Sequence, residues 1–326
     1  MMQQSEPAET ALLAHLEGRQ PPRPAWFSRA LANEPERERI DVDGTEIELL
    51  TWGERGKPGL LFLHGNSAHA DWWSFIAPYF AQDYRVAAFS WSGMGNSDWR
   101  ESYSVQAYTD EIDAAAAAAG LFDAEQKPIL IAHSFGSTPA LAYAAARGEK
   151  LGGVVSMDTP ILTMAQREAR GRRRNAEDMQ ENRVYPTMEA ALKRFRFMPA
   201  QTCENLFIVD HIARTALDVV MPWEKDGPGY AWSFDPFLWK TLDAVDTAEN
   251  VKQARCPLAF IAGENSILMD AEVRESRAAL VPPGSPVIDI PEAQHHLMAD
   301  QPLAVVSALR TLLANWPKQS DLPGGE

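Results

Sequence analysis

The stretch ILIAHSFGSTPAL, Ile129 to Leu141, decides how the rest of the chain is read. Ile129 to Ala132 is an apolar strand, and small helix formers follow from Gly136. Ser134 falls at the joint. A strand that turns at once into a helix crowds its own backbone. It therefore needs small residues two before and two after the turn. Ala132 and Gly136 meet that need. The helix that begins here also points its positive end at the serine. A serine N-cap would leave the same local trace, so the neighbouring segments must decide between the two.

Outward from this motif, strands and helices alternate. Upstream lie the runs Gly59 to Leu63 and Tyr84 to Trp91, both strand-like, with Asp71 to Phe80 between them expected as a helix. Ser104 to Gly120 reads as helix, with alanine at every position from Ala114 to Ala119. Downstream come strand Leu151 to Met157, strand Pro257 to Ala262, helix Ala271 to Leu280, strand Pro286 to Ile290 and helix Pro302 to Trp316. Short apolar strands alternating with helices predict a parallel sheet covered on both faces. Before them, RERIDV and TEIELLTW flank Asp43-Gly44, a hairpin signal. The alternation fails between residues 160 and 250, which are rich in Arg, Glu, Pro, Trp and Phe. That is too long for a loop and is expected to be a helical cap over the carboxyl edge of the sheet. The expected organisation is an N-terminal extension at 1–36, a core at 37–159 and 251–317, the cap at 160–250 and a flexible tail at 318–326. The first forty residues are expected to be peripheral.

Composition narrows the function classes. The net charge of the 326 residues is -15, which opposes nucleic acid and anionic membrane as partners. Two distant cysteines, Cys203 and Cys256, imply no disulfide framework. The first residues, MMQQSEPAET, lack the charged and apolar regions of a secretory signal. The expected location is the cytoplasm. No G-x-G-x-x-G fingerprint or metal-ligand spacing is present, so no cofactor and no metal are expected. Oligomeric state is left open.

Two further motifs bracket the first. LFLHGNSAHADWW, Leu61 to Trp73, is a strand ending in His64-Gly65 before a polar loop. In an acyl-transfer enzyme such a loop donates a backbone N–H to the oxyanion. Asn66 is the candidate by position, and the N–H of Phe135, after the serine, is the second. An ordinary turn is the plainer reading, and His64 is expected to be structural. PEAQHHLMADQPLAVVSAL, Pro291 to Leu309, follows the last strand. It places His295 where a base could reach a serine on the sheet edge. His295 is favoured over His296.

With His64-Gly65, the loop Gly93-Met94-Gly95-Asn96-Ser97, the Ser134 turn, and His295 followed by Pro302 in one order, the chain resembles the α/β-hydrolase family from about Arg37 to Trp316. Within it, the chain resembles the cap-bearing branch related to haloalkane dehalogenases and epoxide hydrolases. Those relatives use an aspartate nucleophile, whereas this chain has Ser134. The resemblance implies a mostly parallel, eight-stranded sheet with helices on both faces. It also implies a catalytic triad of Ser134, His295 and a carboxylate. The family's common place for that acid, after the seventh strand, holds Gly263-Glu264-Asn265-Ser266. The other place known in the family, the end of the sixth strand, holds Asp158. Asp158 is favoured, with Asp270 and Glu264 as alternatives and a helix cap as the plain reading of Asp158.

The expected activity is that of a serine hydrolase acting on small-molecule carboxylic esters through an acyl-enzyme. Lactone, amide or C–C bond hydrolysis, or perhydrolysis, on the same site are alternatives. A weakly catalytic ligand-binding receptor of the same fold is another. The basic run Ala169 to Arg174 is read as a solvated face. Trp223, Tyr230, Trp232, Phe234, Phe237 and Trp239 either line an apolar pocket or form the cap's own core.

Overall fold

A computed structural model of the protein describes residues 11–170, 179–221 and 229–316. Residues 171–174 of the basic run, Trp223, the tail at 318–326 and residues 1–10 of the N-terminal extension lie outside the described residues.

The hairpin forms from β1 (Glu36–Val42) and β2 (Thr45–Trp52). Asp43 and Gly44 take φ of 52° and 76°, the two successive left-handed residues of a turn whose twist matches its strands. Four buried parallel strands follow: β3 (Gly59–Leu63), β4 (Arg85–Phe89), β5 (Ile129–His133) and β6 (Gly153–Met157). A separate antiparallel ribbon pairs β7 (Leu217–Val220) with β8 (Gly229–Trp232). β9 (Leu258–Gly263) and β10 (Val287–Ile290) then return to the main sheet. Its eight strands run in the order β1-β2-β4-β3-β5-β6-β9-β10; the β1-β2 and β2-β4 pairs are antiparallel, and the other five pairs are parallel. Alternate residues feed two cores. Leu60, Phe62 and Ile131 pack on one face, and Leu61, Leu63 and Leu130 on the other. Both faces are thus dry, which is why these strands read as continuous apolar runs.

The helices around the sheet are α1 (Ala25–Leu31), α2 (Val105–Ala118), α3 (Ser137–Arg147), α4 (Met164–Ala169), α5 (Met188–Leu192), α6 (Leu206–Thr215), α7 (Thr247–Gln253), α8 (Ala271–Leu280), α9 (Leu297–Asp300) and α10 (Pro302–Ala314). Ser104 caps α2 by accepting from the Ala107 N–H at 3.1 Å. None of the described helices is long and apolar enough to cross a membrane.

The structure corrects three expectations. Asp71 to Phe80 is not one helix but two 3₁₀ turns, Ala70–Trp73 and Ala77–Tyr79. Every side chain from Asp71 to Ala77 is buried, so no solvent face exists for a helix to present, and Pro78 lacks the N–H that a continuing helix would use. The insertion is not purely helical, because the β7-β8 ribbon sits within it. The N-terminal segment is not peripheral either: Leu13 and Phe27 are buried. The Phe27 ring meets Phe75 of the core at 5.5 Å and Phe207 of α6 at 5.0 Å. Arg214 of α6 adds a 2.7 Å hydrogen bond to the Gly18 carbonyl, so this segment ties the insertion to the core.

Candidate active site

The chain runs from β3 to β4 on one side and places β5 on the other. The carboxyl ends of β3 and β5 therefore flank a crevice where the winding reverses, the usual ligand position in an open α/β sheet. The β3 end supplies His64, Gly65 and Asn66, and the β5 end supplies His133 and Ser134.

Ser134 has φ of 50°. A non-glycine residue in this region is uncommon and strained. The strain arises because α3 must begin immediately against the end of β3. A Cβ on Gly136 would lie 2.6 Å from the His64 carbonyl oxygen and 3.0 Å from that of Leu63. Only glycine permits that approach. Two residues before the serine, Ala132 is fully buried, and its carbonyl accepts the Ser137 hydroxyl at 2.8 Å.

His295 lies in the loop after β10 and is buried. Its Nδ1 is 2.6 Å from Oδ2 of Asp158. A carboxylate can only accept, so Nδ1 carries a proton, and in the neutral ring the lone pair is on Nε2. Asp158 follows β6 directly, is fully buried, and has φ of 51°. It accepts from three donors: His295, the Gly263 N–H at 2.8 Å and the Ser266 hydroxyl at 2.6 Å. Three donors offset the cost of burying the carboxylate. The structure thus joins His295 to Asp158 and brings both beside the strand that ends in Ser134. Among the described residues, the Ser134 hydroxyl is hydrogen-bonded to neither.

The other two carboxylates do not reach the imidazole. Asp270 caps α8 through the Val273 N–H at 2.9 Å and pairs with Arg170 at 3.1 Å. Glu264 accepts the Glu292 N–H at 3.0 Å. His64 is structural: its Nδ1 donates to the Gly65 carbonyl at 2.8 Å, and its Nε2 accepts the Trp91 N–H at 3.1 Å. Burial pushes its pKa down to about 3, so it stays neutral while linking the ends of β3 and β4.

Asn66 is half-buried, and its backbone N–H makes no hydrogen bond among the described residues. It lines a cavity of ≈ 190 Å³ between the core and the insertion. Trp72 and His296 line the core side, and Phe195, Phe197, Trp232 and Arg194 the insertion side. Trp232 and Phe234 are therefore wall residues. Trp239 instead packs edge-on against Phe135 at 5.6 Å.

Three residues of this site carry no signal that sequence reasoning used. Ser266 ends the stretch Gly263-Glu264-Asn265-Ser266 as an uncharged residue in the family's common place for the acid. Arg194 sits in a segment with no motif. His133, next to the serine, donates Nε2–H to the His295 carbonyl at 3.0 Å, fixing the loop that carries His295. His133, His295 and His296 could share a metal ion, since each offers a nitrogen and these lie within 4.8 Å of one another. A cation there would take the lone pair of His295 and compete with any role as a base.

The sequence matches the Alpha/beta hydrolase family over residues 60–309. Two haloalkane dehalogenases of Sphingobium indicum are each 30% identical to it, over 134 and 128 residues. Those matches cover 40% and 38% of this chain and 44% and 42% of the relatives, so less than half of each relative is matched. Among solved structures, the thioesterase domain from the curacin biosynthetic pathway superposes with a TM-score of 0.68 at 23% identity, over 85% of this chain and all (100%) of that one. An esterase of M. tuberculosis superposes with a TM-score of 0.67 at 20% identity, over 90% of this chain and 100% of its own. At these identities the likeness is one of fold.

Proposed function

Since the chain belongs to the alpha/beta hydrolase family, we propose that it hydrolyses carboxylic esters with Ser134 as nucleophile, His295 as general base and Asp158 as the acid that orients the base. The observation that carries this reading is the 2.6 Å contact of Asp158 with His295, beside a serine held in a left-handed turn.

In this mechanism, Nε2 of His295 takes the Ser134 proton as the hydroxyl oxygen adds to the ester carbonyl. The backbone N–H groups of Asn66 and Phe135 receive the oxyanion, each worth about 3 kcal/mol. Asp158 keeps the proton on Nδ1 and stabilises the imidazolium. The tetrahedral centre collapses, and His295 returns the proton to the departing alkoxide. Water repeats the sequence on the acyl-enzyme, releasing the acid and restoring Ser134. The insertion acts as a cap, its aromatic walls excluding water and selecting the group that enters.

Dehalogenation is disfavoured on chemical grounds despite the curated relatives. Displacement of halide by Ser134 would leave an alkyl ether, which has no carbonyl for water to attack. A carboxylate nucleophile would leave an ester, which water can cleave. The test is a panel of nitrophenyl esters, thioesters, anilides, lactones and haloalkanes. Ester turnover well above background, abolished in Ser134→Ala, supports this reading. Preferred turnover of another class, or none, overturns it.

A further inference from the structure

We propose that this cavity selects substrates carrying an anionic group remote from the scissile bond, held by Arg194 at its mouth; this specificity presupposes the ester chemistry proposed above.

Among the described residues, the walls carry two cations, Arg194 and Arg196, and no carboxylate, in a chain whose net charge is -15. Acidic residues outnumber basic ones 45 to 30 over the chain, so this patch runs against the protein's overall field. A cavity lined by one sign of charge concentrates ligands of the other. The two arginines are not equivalent. Arg196 is half-buried and donates to the Phe195 carbonyl at 2.7 Å and the Lys193 carbonyl at 3.3 Å. Arg194 is exposed, and its guanidinium has no hydrogen bond or ion pair among the described residues.

The backbone that presents Arg194 is nevertheless fixed. Its N–H donates to the Ala191 carbonyl at 2.8 Å. Phe195 and Phe197 on either side of Arg196 are buried and meet each other at 5.3 Å. The next residue in register, Lys193, is already paired with Glu189 at 2.6 Å. A mounted guanidinium with open donors, exposed and lining a largely apolar cavity, suits a carboxylate or other oxyanion by charge-assisted bonding. Asn66 and His296 line the core side of the same cavity; Asn66 is the proposed oxyanion donor, and His296 follows the proposed base in the chain. A substrate that spans the cavity places its ester at the core side and its anion at Arg194, with an apolar body against Trp72, Phe197 and Trp232.

The anion could belong to the acyl part or to the alcohol part, and two substrate pairs distinguish these. The first is monoethyl adipate against the ethyl ester of adipic acid monoamide. The second is the acetate ester of a hydroxyhexanoate against that of the matching hydroxyhexanamide. Within a pair, the amide is the same size as the carboxylate and lacks only the charge. In at least one pair, kcat/KM is expected to favour the anion by about tenfold, the low end for a hydrogen bond to a charged group. Salt should diminish the preference. Arg194→Gln should bring the ratio close to one, and Arg194→Lys should keep part of it. Because each ratio is taken within one variant, folding damage cancels.

Calorimetric binding of adipate against adipamide runs in parallel and needs no turnover. Hydrolysis of all four esters with ratios of one, or ratios unchanged in Arg194→Gln, overturns the anion site and leaves the esterase reading intact. Absent hydrolysis, with adipate still binding and lost in Arg194→Gln, overturns the esterase reading and keeps the anion site. Absent hydrolysis and absent adipate binding removes both.

Discussion

The hydroxyl of Ser266 donates at 2.6 Å to Oδ2 of Asp158, the same oxygen that faces Nδ1 of His295 at 2.6 Å. The residue at the family's common acid position thus holds an acid supplied from the neighbouring strand. The exchange is geometrically simple. β6 and β9 are parallel neighbours, with Met157 opposite Ile261, so their carboxyl ends lie side by side and either can reach the loop of His295. Asp158→Asn is expected to lower kcat on the order of 10⁴-fold, as when an orienting carboxylate is neutralised elsewhere. Ser266→Ala removes one of three donors and should cost about tenfold. Adding Ser266→Asp to the Asp158→Asn variant should recover part of the loss. Steady-state rates on a nitrophenyl ester, with circular dichroism to confirm folding, check all three. Near-parent activity in Asp158→Asn would remove Asp158 from the mechanism.

Ser134 should be the residue that a fluorophosphonate labels. Mass spectrometry of the labelled peptide is expected to place the adduct there, and Ser134→Ala should abolish it. The strained φ of 50° makes a second expectation. Ser134→Gly relieves the left-handed backbone and should melt no lower than the parent while losing activity. A lower melting temperature would mean that the serine side chain supports the fold rather than the chemistry.

Much of this is legible in the amino-acid sequence. The strands showed because their burial on both faces makes them apolar throughout, and the Ser134 turn showed because Gly136 has no room for a Cβ. The segment after His69 was misread because its aromatic residues resemble one side of a helix, whereas all sides are buried. Ser266 was invisible as a partner because a serine hydroxyl acquires its meaning only from what stands 2.6 Å away. Arg194 was invisible because nothing in the local pattern of Lys193 to Met198 says which side chain opens onto a cavity.

Trp232 should govern chain-length preference. It is half-buried, lines the cavity and packs against Phe195 at 5.8 Å. Trp232→Ala enlarges an apolar wall, so relative kcat/KM should shift toward longer or bulkier esters. A series of nitrophenyl esters from acetate to decanoate checks this. An equal loss at every length would point to damaged folding.

Gly136→Ala should be severely destabilising, because its Cβ would sit 2.6 Å from the His64 carbonyl oxygen. That atom belongs to the backbone at the end of β3 and cannot swing away. The expected loss is at least the roughly 1–3 kcal/mol typical of overpacking. Urea unfolding of the purified variant measures it, with little soluble protein as the extreme result. A parent-like midpoint would show that α3 can move away from β3.

Acid should destabilise the fold through its buried imidazoles. Burial holds His64 down at about 3 and His211 at about 4, and it pushes His133 and His296 well below the usual histidine range. In the unfolded chain each titrates near 6.5. As pH falls below that value the unfolded state takes up protons that the native state refuses, so stability declines with falling pH. Each such group contributes a slope of up to about 1.4 kcal/mol per pH unit. Asp300 acts in the opposite sense. Burial raises its pKa to about 6, above its unfolded value, so the stability it takes away at neutral pH returns as pH drops from 6 toward 4. Burial also raises the pKa of Glu111, Asp210 and Asp218 and lowers that of His69, so five histidines, whose unfolded value lies inside the window, stand against four such carboxylates and leave a net loss between about pH 6.5 and 5. His296 is the most informative to remove, since its ring lies 4.7 Å from that of Phe197 and 5.3 Å from that of Trp72, a setting that phenylalanine also suits. His296→Phe should lose less stability than the parent between pH 7.5 and 5.5, by about one proton's worth of slope. Urea unfolding at several pH values gives both curves. Parallel curves would mean that His296 takes up its proton in the native state as readily as in the unfolded chain, so that its burial sets no pH dependence.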